Sequence, residues 1–424
     1  MNFNMISISA IQFILILLPT TVNIYLLKVV SFELYGKFIF FLSLFNFLSI
    51  LINSGLANDS LRDLSDAFDR YISGDTNDFN KRMNEYIGIK TFYLSVSLIF
   101  CFLLSFINIF HERLFYCLFI YLIYFSLDFL IFYQVINKLI SYMCISLLSF
   151  MISIILLFYF IHQDSDIYYV SFLVTLPFII FNLSFLVFNL FLLKFKLKFN
   201  IKTIQGKFKD NYKFMFSSVS SALVTKGVYL FIGIVLGVGE VAIYSVLDQI
   251  CRGPLIFINR LSTLYTPRIV HALSQNDESL AKALFSNVFI RILGLSLATC
   301  IGLASLSHII LPFFIKDGYM DFGRIMPLFI LMLSIIPSVS LSSLCAIQYY
   351  LNLKNDMIIY KYSTILILFG MPFILLSASV YKLFGLVFSY TLVEVVGLIY
   401  FLWYLDFNPL RFFLLPAPIK ETDE

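Results

Sequence analysis

Three cations, Lys226, Arg252 and Arg291, and three carboxylates, Asp128, Asp248 and Glu394, interrupt segments that are otherwise apolar enough to lie in lipid. An ionised side chain at that depth needs either a partner or a wet pathway. The stretch SALVTKGVYLFIGIVLGV, Ser221 to Val238, holds the deepest of them. A continuous helix entering lipid near Phe214 rises ~1.5 Å per residue, which puts Lys226 ~18 Å inside a ~30 Å hydrocarbon layer. A fixed cation there can replace the water around a phosphorylated group, and the competing reading is a structural pair with a carboxylate such as Asp248. Tyr244, Asp248, Arg252 and Asn259 follow one another at steps of four, four and seven, which stacks them on one helix face. That face is either a cavity lining or an internal Asp248–Arg252 ion pair. Arg291 lies ~10 Å inside its segment, at the place where the first half of the chain has Lys90, and can snorkel to the cytoplasmic side. Asp128, below Tyr121 and Tyr124, and Glu394, four residues after Tyr390, are each either a helix-to-helix hydrogen bond or an ion carrier. Lys226, Arg252, Arg291, Tyr244 and Asn259 are therefore the candidate substrate-binding residues. Asp128, Asp248 and Glu394 are the ion-coupling candidates.

The elements that must position these groups are membrane helices. Of 424 residues 60% are hydrophobic and 13% charged, with a mean hydropathy of +0.93, which excludes a soluble globular protein. About twelve apolar runs are long enough to cross, near 7–27, 38–57, 91–110, 114–136, 139–161, 167–193, 214–237, 241–260, 284–311, 325–351, 358–380 and 383–405. The first has no basic region before it and is too long for a signal segment, so it reads as a retained span. The six cysteines fall inside apolar segments and show no metal-ligand spacing. No GxxxxGK[ST], HExxH or GxSxG motif occurs, so neither ATP hydrolysis nor a familiar hydrolase chemistry is expected, and no cofactor, metal or nucleic-acid partner is implied. The chain reads as a carrier, not an enzyme.

With the N-terminus inside, cytoplasmic loops and tail hold 20 of the 29 Lys and Arg residues, against six in the external loops, which favours both termini in the cytoplasm. Two loops are long, and both are cytoplasmic. In NDSLRDLSDAFDRYISGDTNDFNKRMNEY, Leu61, Leu64, Ala67, Phe68 and Ile72 recur at helical spacing, predicting an amphipathic interfacial helix and a turn at Gly74. In KFKLKFNIKTIQGKFKDNYK, lysines alternate with apolar residues, as in a membrane-surface linker or an anionic-lipid site. An internal repeat divides the chain. FELYGKFIFFLSLFNFLSILINSGLANDSLRDLS and GEVAIYSVLDQICRGPLIFINRLSTLYTPRIVHALS each run from a glutamate (Glu33, Glu240) through a tyrosine (Tyr35, Tyr244) to an arginine (Arg62, Arg268), over 29 and 28 residues. The expected organisation is an all-α integral membrane protein with a six-helix lobe at 1–193, a basic cytoplasmic linker at 194–213, a second six-helix lobe at 214–405 and a cytoplasmic tail at 406–424.

The first repeat element, with its YG, its serine- and aromatic-rich span and its closing SGL, resembles the second-helix region of the bacterial Wzx-type polysaccharide flippases. GVGEVAIYSVLDQICRGPLIFINRLSTLYTPRIVHALS resembles their seventh-to-eighth helix region, and MPLFILMLSIIPSVSLSSLCAIQYYLNLKND their tenth helix and the loop after it. The resemblance implies the multidrug and oligosaccharidyl-lipid exporter superfold, two six-helix lobes in a V around a central cavity. It further implies a lipid-linked oligosaccharide substrate, an undecaprenyl pyrophosphate carrying one repeat unit, turned from the inner to the outer leaflet of the bacterial inner membrane for O-antigen or other surface polysaccharide. A polysaccharide polymerase and a chain-length regulator are the partners that such a role implies. Where many such relatives carry an acidic residue this chain has Lys226, which favours anion binding over ion coupling at that position. An ion-coupled drug or metabolite exporter of the same superfold would prefer acidic cavities. A membrane glycosyltransferase or polymerase would need a larger external loop than the dozen or so residues around Lys316.

Overall fold

The computed structural model describes residues 19–53, 57–73, 76–193, 218–274, 278–314, 322–342 and 356–404, with isolated exceptions. The regular elements among the described residues are all helices, with no strand. Most of the first expected span, the basic linker, the tail and the end of the 325–351 span lie outside them, as do Gly74, Cys345 and the side chains of Leu61, Asn259 and Arg268. Among the described residues eight helices are long and apolar enough to cross a membrane, or nine if a bent pair around Lys226 is one span. The chain forms two compact units, Met1–Ala242 and Ile243–Glu424.

In the first unit a helix over residues 19–29 (α1) leads to α2, Phe32–Asn53, and α3, Ala57–Ile72. These are followed by α4, Thr76–Leu104, then α5, a segmented span over Arg113–Val135, α6, Leu139–Phe160, and α7, Ile167–Leu192. With no hydrophobic drive between helices in lipid, close packing and interhelical hydrogen bonds must hold them. The pairing of α6 with α7 illustrates this. Ser146, Ser149 and Ser153 are buried on α6, while Ser171, Thr175, Asn182 and Asn189 are buried on α7, and the Ser153 hydroxyl donates across to the Val174 carbonyl at 3.0 Å. Large apolar side chains of α6 such as Leu148, Ile155 and Phe158 point outward instead, as lipid-facing groups do.

The expected interfacial helix is α3, but its apolar face is committed to protein. Leu64 and Ala67 are buried in a core with Phe79, Met83 and Tyr86 of α4 and Phe132 of α5, while Ile72 stays exposed. Arg70 bonds Asp78 at 3.0 Å, pinning α3 to the start of α4, and within α4 Arg82 reaches Glu85 at 3.4 Å. At the other end of this unit the Tyr25 hydroxyl donates to the Ile161 carbonyl, and Asp164 accepts the Ser31 N–H.

The helix α8, Gly227–Val235, packs on α2 within the same unit. A methyl group on Gly36 would stand 2.1 Å from the Val238 carbonyl oxygen, and one on Gly233 2.2 Å from the Phe40 ring. This gives the YG pair of the first repeat a physical role, since Tyr35 is fully buried and Gly36 admits backbone beside it. Gly36→Val is expected to cost ~1–3 kcal/mol through overpacking, read as a thermal midpoint several degrees lower in detergent. Gly239→Ala, where a methyl meets nothing within 4 Å, is the control.

The second unit takes up α9, Val238–Ser274, from Ile243 onward. At 37 residues it is ~55 Å long, well beyond a ~30 Å hydrocarbon layer, so the expected 241–260 span is one part of a longer rod. There follow α10, Glu278–Ser305, α11, Ser307–Phe314, α12, Phe322–Leu333, and α13, Asp356–Ile365, which runs through a π-helical turn into α14, Met371–Tyr404. The last of these is a hairpin. Lys382 has φ 54° and ψ −141°, and the Ser377 hydroxyl donates to the Gly385 carbonyl at 2.8 Å, although residues eight apart on a straight helix stand ~12 Å apart. Tyr362 stacks on Tyr400 and Gly370 lies beside Val393, so the two arms run antiparallel. Counted as two passes, with the bent pair as one span and α9 added, the hairpin brings the described spans to eleven of the twelve expected, the first lying mostly outside the described residues.

Candidate functional site

Lys226 does not sit inside a continuous helix. The seventh span is broken there, with Ser218–Thr225 and Gly227–Val235 meeting at 42°, so the depth count from Phe214 does not apply as it stands. Lys226 is half-buried and occupies the N-cap of α8, its own N–H still bonded to the Ala222 carbonyl at 2.8 Å. A helix N-terminus presents N–H groups without intrahelical acceptors and the positive end of the peptide dipoles, so the break adds to the potential of the ammonium.

The stripe on α9 meets the second arm of α14. Tyr244 is fully buried and Asp248 nearly so, and Arg252 Nε donates to Asp248 Oδ1 at 2.6 Å. The far side of the guanidinium donates through Nη2 to the Tyr390 hydroxyl at 3.4 Å. Glu394 faces both Arg252 and Tyr390, and Tyr362 approaches the same carboxylate. Gly397 makes room for it, since a methyl there would stand 2.2 Å from the Tyr362 hydroxyl oxygen. The ion pair considered from the spacing is thus formed, yet 27% of the Arg252 side chain remains exposed, so pairing has not sealed it. One guanidinium serves two carboxylates.

Asp128 also differs from a mid-helix residue. It occupies a gap in α5 between Ile120–Ser126 and Leu130–Val135. No proline or glycine stands near the gap, and the carboxylate itself caps the restarted helix, accepting the Leu130 N–H at 3.3 Å and the Tyr142 hydroxyl at 3.0 Å. The break frees the Asp128 carbonyl, and the Lys90 ammonium donates to it. Lys90 is buried, with its Nζ 4.7 Å from the Phe129 ring centroid and 5.4 Å from that of Tyr86.

Of the remaining candidates, Arg291 is exposed on α10, and Asn259 lies on α9 with its side chain outside the described residues. Asp248, Arg252, Tyr244 and Glu394 come together in the second unit, while Asp128 and Lys226 belong to the first. Sequence reasoning missed Lys90, counted there as a loop-end charge, and the tyrosines Tyr142 and Tyr362. The only signal for Lys90 was its correspondence with Arg291. Among the described residues no group of three or more His, Cys, Asp or Glu side chains could hold a metal ion, and Cys101, Cys117, Cys144, Cys251 and Cys300 are free thiols.

Residues 3–273 match a family model described as polysaccharide biosynthesis protein. No curated protein matches the sequence. Similar solved structures include an inward-facing multidrug resistance transporter of the MATE family and MOP superfamily, with TM-score 0.65 and 11% identity, covering 92% of this chain and 94% of that one. A MOP superfamily transporter from Pyrococcus furiosus, described as having a binding pocket of reverse polarity that suggests a different function, gives TM-score 0.60 and 11% identity, with 95% of each chain covered. The eukaryotic MATE transporter AtDTX14 gives 0.51 and 15% identity, over 96% and 93%. At such identities the likeness is one of fold.

Proposed function

The chain belongs to the polysaccharide biosynthesis protein family, Wzx-type membrane flippases with the MOP transporter fold, and on that premise we propose that it turns an undecaprenyl-pyrophosphate-linked oligosaccharide repeat unit from the cytoplasmic to the outer leaflet. The observation that carries the substrate assignment is Lys226 at the head of a half-helix in a broken span. A pyrophosphate cannot cross hydrocarbon unaided, and an ammonium at a helix N-terminus can replace its water. The polyprenyl tail stays in lipid throughout. Arg252, shared by two carboxylates, contributes less to anion binding than its type suggests, and becomes available when one of them is neutral. Arg291 and Asn259, in the second unit, are further proposed substrate contacts, whereas Tyr244 is fully buried against Asp248 and Tyr390. The setting is a bacterial inner membrane with both termini cytoplasmic, and a polymerase and a chain-length regulator act on the product.

Moving about two negative charges outward across an inside-negative potential releases ~2.3 kcal/mol per charge per 100 mV, so the membrane itself drives the step. Ion antiport through Asp128, Asp248 or Glu394 is an added source. Flipping of a fluorescent lipid-pyrophosphate oligosaccharide in vesicles, with the potential and the pH gradient collapsed separately, tests both. Loss of the potential is expected to slow outward movement. Unchanged rates in both cases would remove coupling, and transport of organic cations without any movement of the lipid pyrophosphate would replace the flippase by a drug exporter.

A further inference from the structure

The gap in α5 has the features of a cation site that is already filled by the chain itself. Its oxygens are the Asp128 carbonyl released by the helix break, the Asp128 carboxylate and the Tyr142 hydroxyl, and its walls are the faces of Phe129 and Tyr86. The Lys90 ammonium donates to that carbonyl, lies over both rings and is close enough to the Asp128 carboxylate to be attracted by it. We propose that Lys90 is a tethered counter-cation, and that the α5 gap binds a monovalent inorganic cation such as sodium only when the lysine side chain is withdrawn or absent.

The donor set decides the class of ion. A divalent metal ion wants several carboxylates or a shell of six or more oxygens, whereas one carboxylate, a carbonyl, a hydroxyl and ring faces suit a single positive charge. The arrangement is built for charge and not for packing alone, because a buried ammonium is tolerated only where oxygens and π-faces replace its hydration. Asp128 resembles an ion-coupling carboxylate in the sequence, yet its counter-charge comes from α4 and does not leave with an exchanged ion. Proton coupling then falls to Asp248 and Glu394 in the second unit. The inference is independent of the substrate, and its test reads stability, so its failure is distinguishable from failure of the flippase reading.

The test compares thermal midpoints of the full-length protein in nanodiscs across a sodium chloride series, with choline chloride holding ionic strength constant. Wild type is expected to show no sodium dependence. Lys90→Met is expected to melt about 5 °C lower in choline and to recover most of that in sodium, while Lys90→Met with Asp128→Asn stays low in both. Lys90→Gln, which keeps a donor for the Asp128 carbonyl without the charge, is run beside it in case the methionine variant does not fold. A sodium response in wild type equal to that of the variants would overturn the proposal. So would variants insensitive to sodium, or failure of both to fold in sodium.

Discussion

Replacing Lys226 by alanine is expected to slow outward flipping about 10- to 100-fold, with protein level and thermal midpoint near those of wild type. A hydrogen bond to a charged group contributes ~1.5–3 kcal/mol, and each 1.4 kcal/mol is about tenfold in a rate or an equilibrium. The fold is expected to survive because the break at residue 226 is a feature of the backbone, bracketed by helices on both sides, and the side chain is only half-buried. Lys226→Arg keeps the charge and retains most of the activity, whereas Lys226→Glu sets a carboxylate against the pyrophosphate and abolishes it. Surface polysaccharide in cells, normalised to the amount of transporter in the membrane, measures the effect, and the vesicle assay separates flipping from later steps. Full retention by the alanine variant would remove Lys226 from the anion site and leave the substrate assignment on family membership alone.

Helix positions were legible in the sequence because lipid imposes one rule on every span, a run of apolar residues long enough to cross. Even the hairpin at Lys382 followed, since two apolar runs met at a single charged residue. What hydropathy could not register is where a span breaks. Breaks at Lys226 and Asp128 occur without proline, in stretches as apolar as any other, and at Asp128 the residue's own carboxylate and the distant Lys90 ammonium take up the released backbone groups. Similar reasoning explains α3. Its amphipathic period was plain, but period alone does not say whether the apolar face meets lipid or the Phe79–Met83–Tyr86 surface of α4. On α9 the steps of four put Tyr244, Asp248 and Arg252 on one face, yet Tyr390, Glu394 and Tyr362 reach it from more than 100 residues away. Lys90 escaped for a related reason. In sequence it closes a cytoplasmic loop, and only the return of α5 past α4 buries it.

In the second unit, Arg252→Met is expected to be far more damaging than Asp248→Asn, although the two residues form one ion pair. Removing the guanidinium leaves Asp248 and Glu394 as carboxylates without their shared cation, and stripping one partner from a buried pair costs ~3–5 kcal/mol. Neutralising Asp248 leaves Arg252 with Glu394 as its remaining counter-charge, reached through Tyr390, so the loss is nearer ~1 kcal/mol. For a unit of this size the first change lowers the thermal midpoint by about 10 °C and the second by about 3 °C. Combining Arg252→Met with Asp248→Asn and Glu394→Gln removes all three charges together, and this triple variant is expected to be more stable than Arg252→Met alone. Midpoints from the single, double and triple variants give the coupling energies directly. Equal damage from Arg252→Met and Asp248→Asn would mean that the guanidinium belongs to Asp248 alone and that Glu394 finds its counter-charge elsewhere.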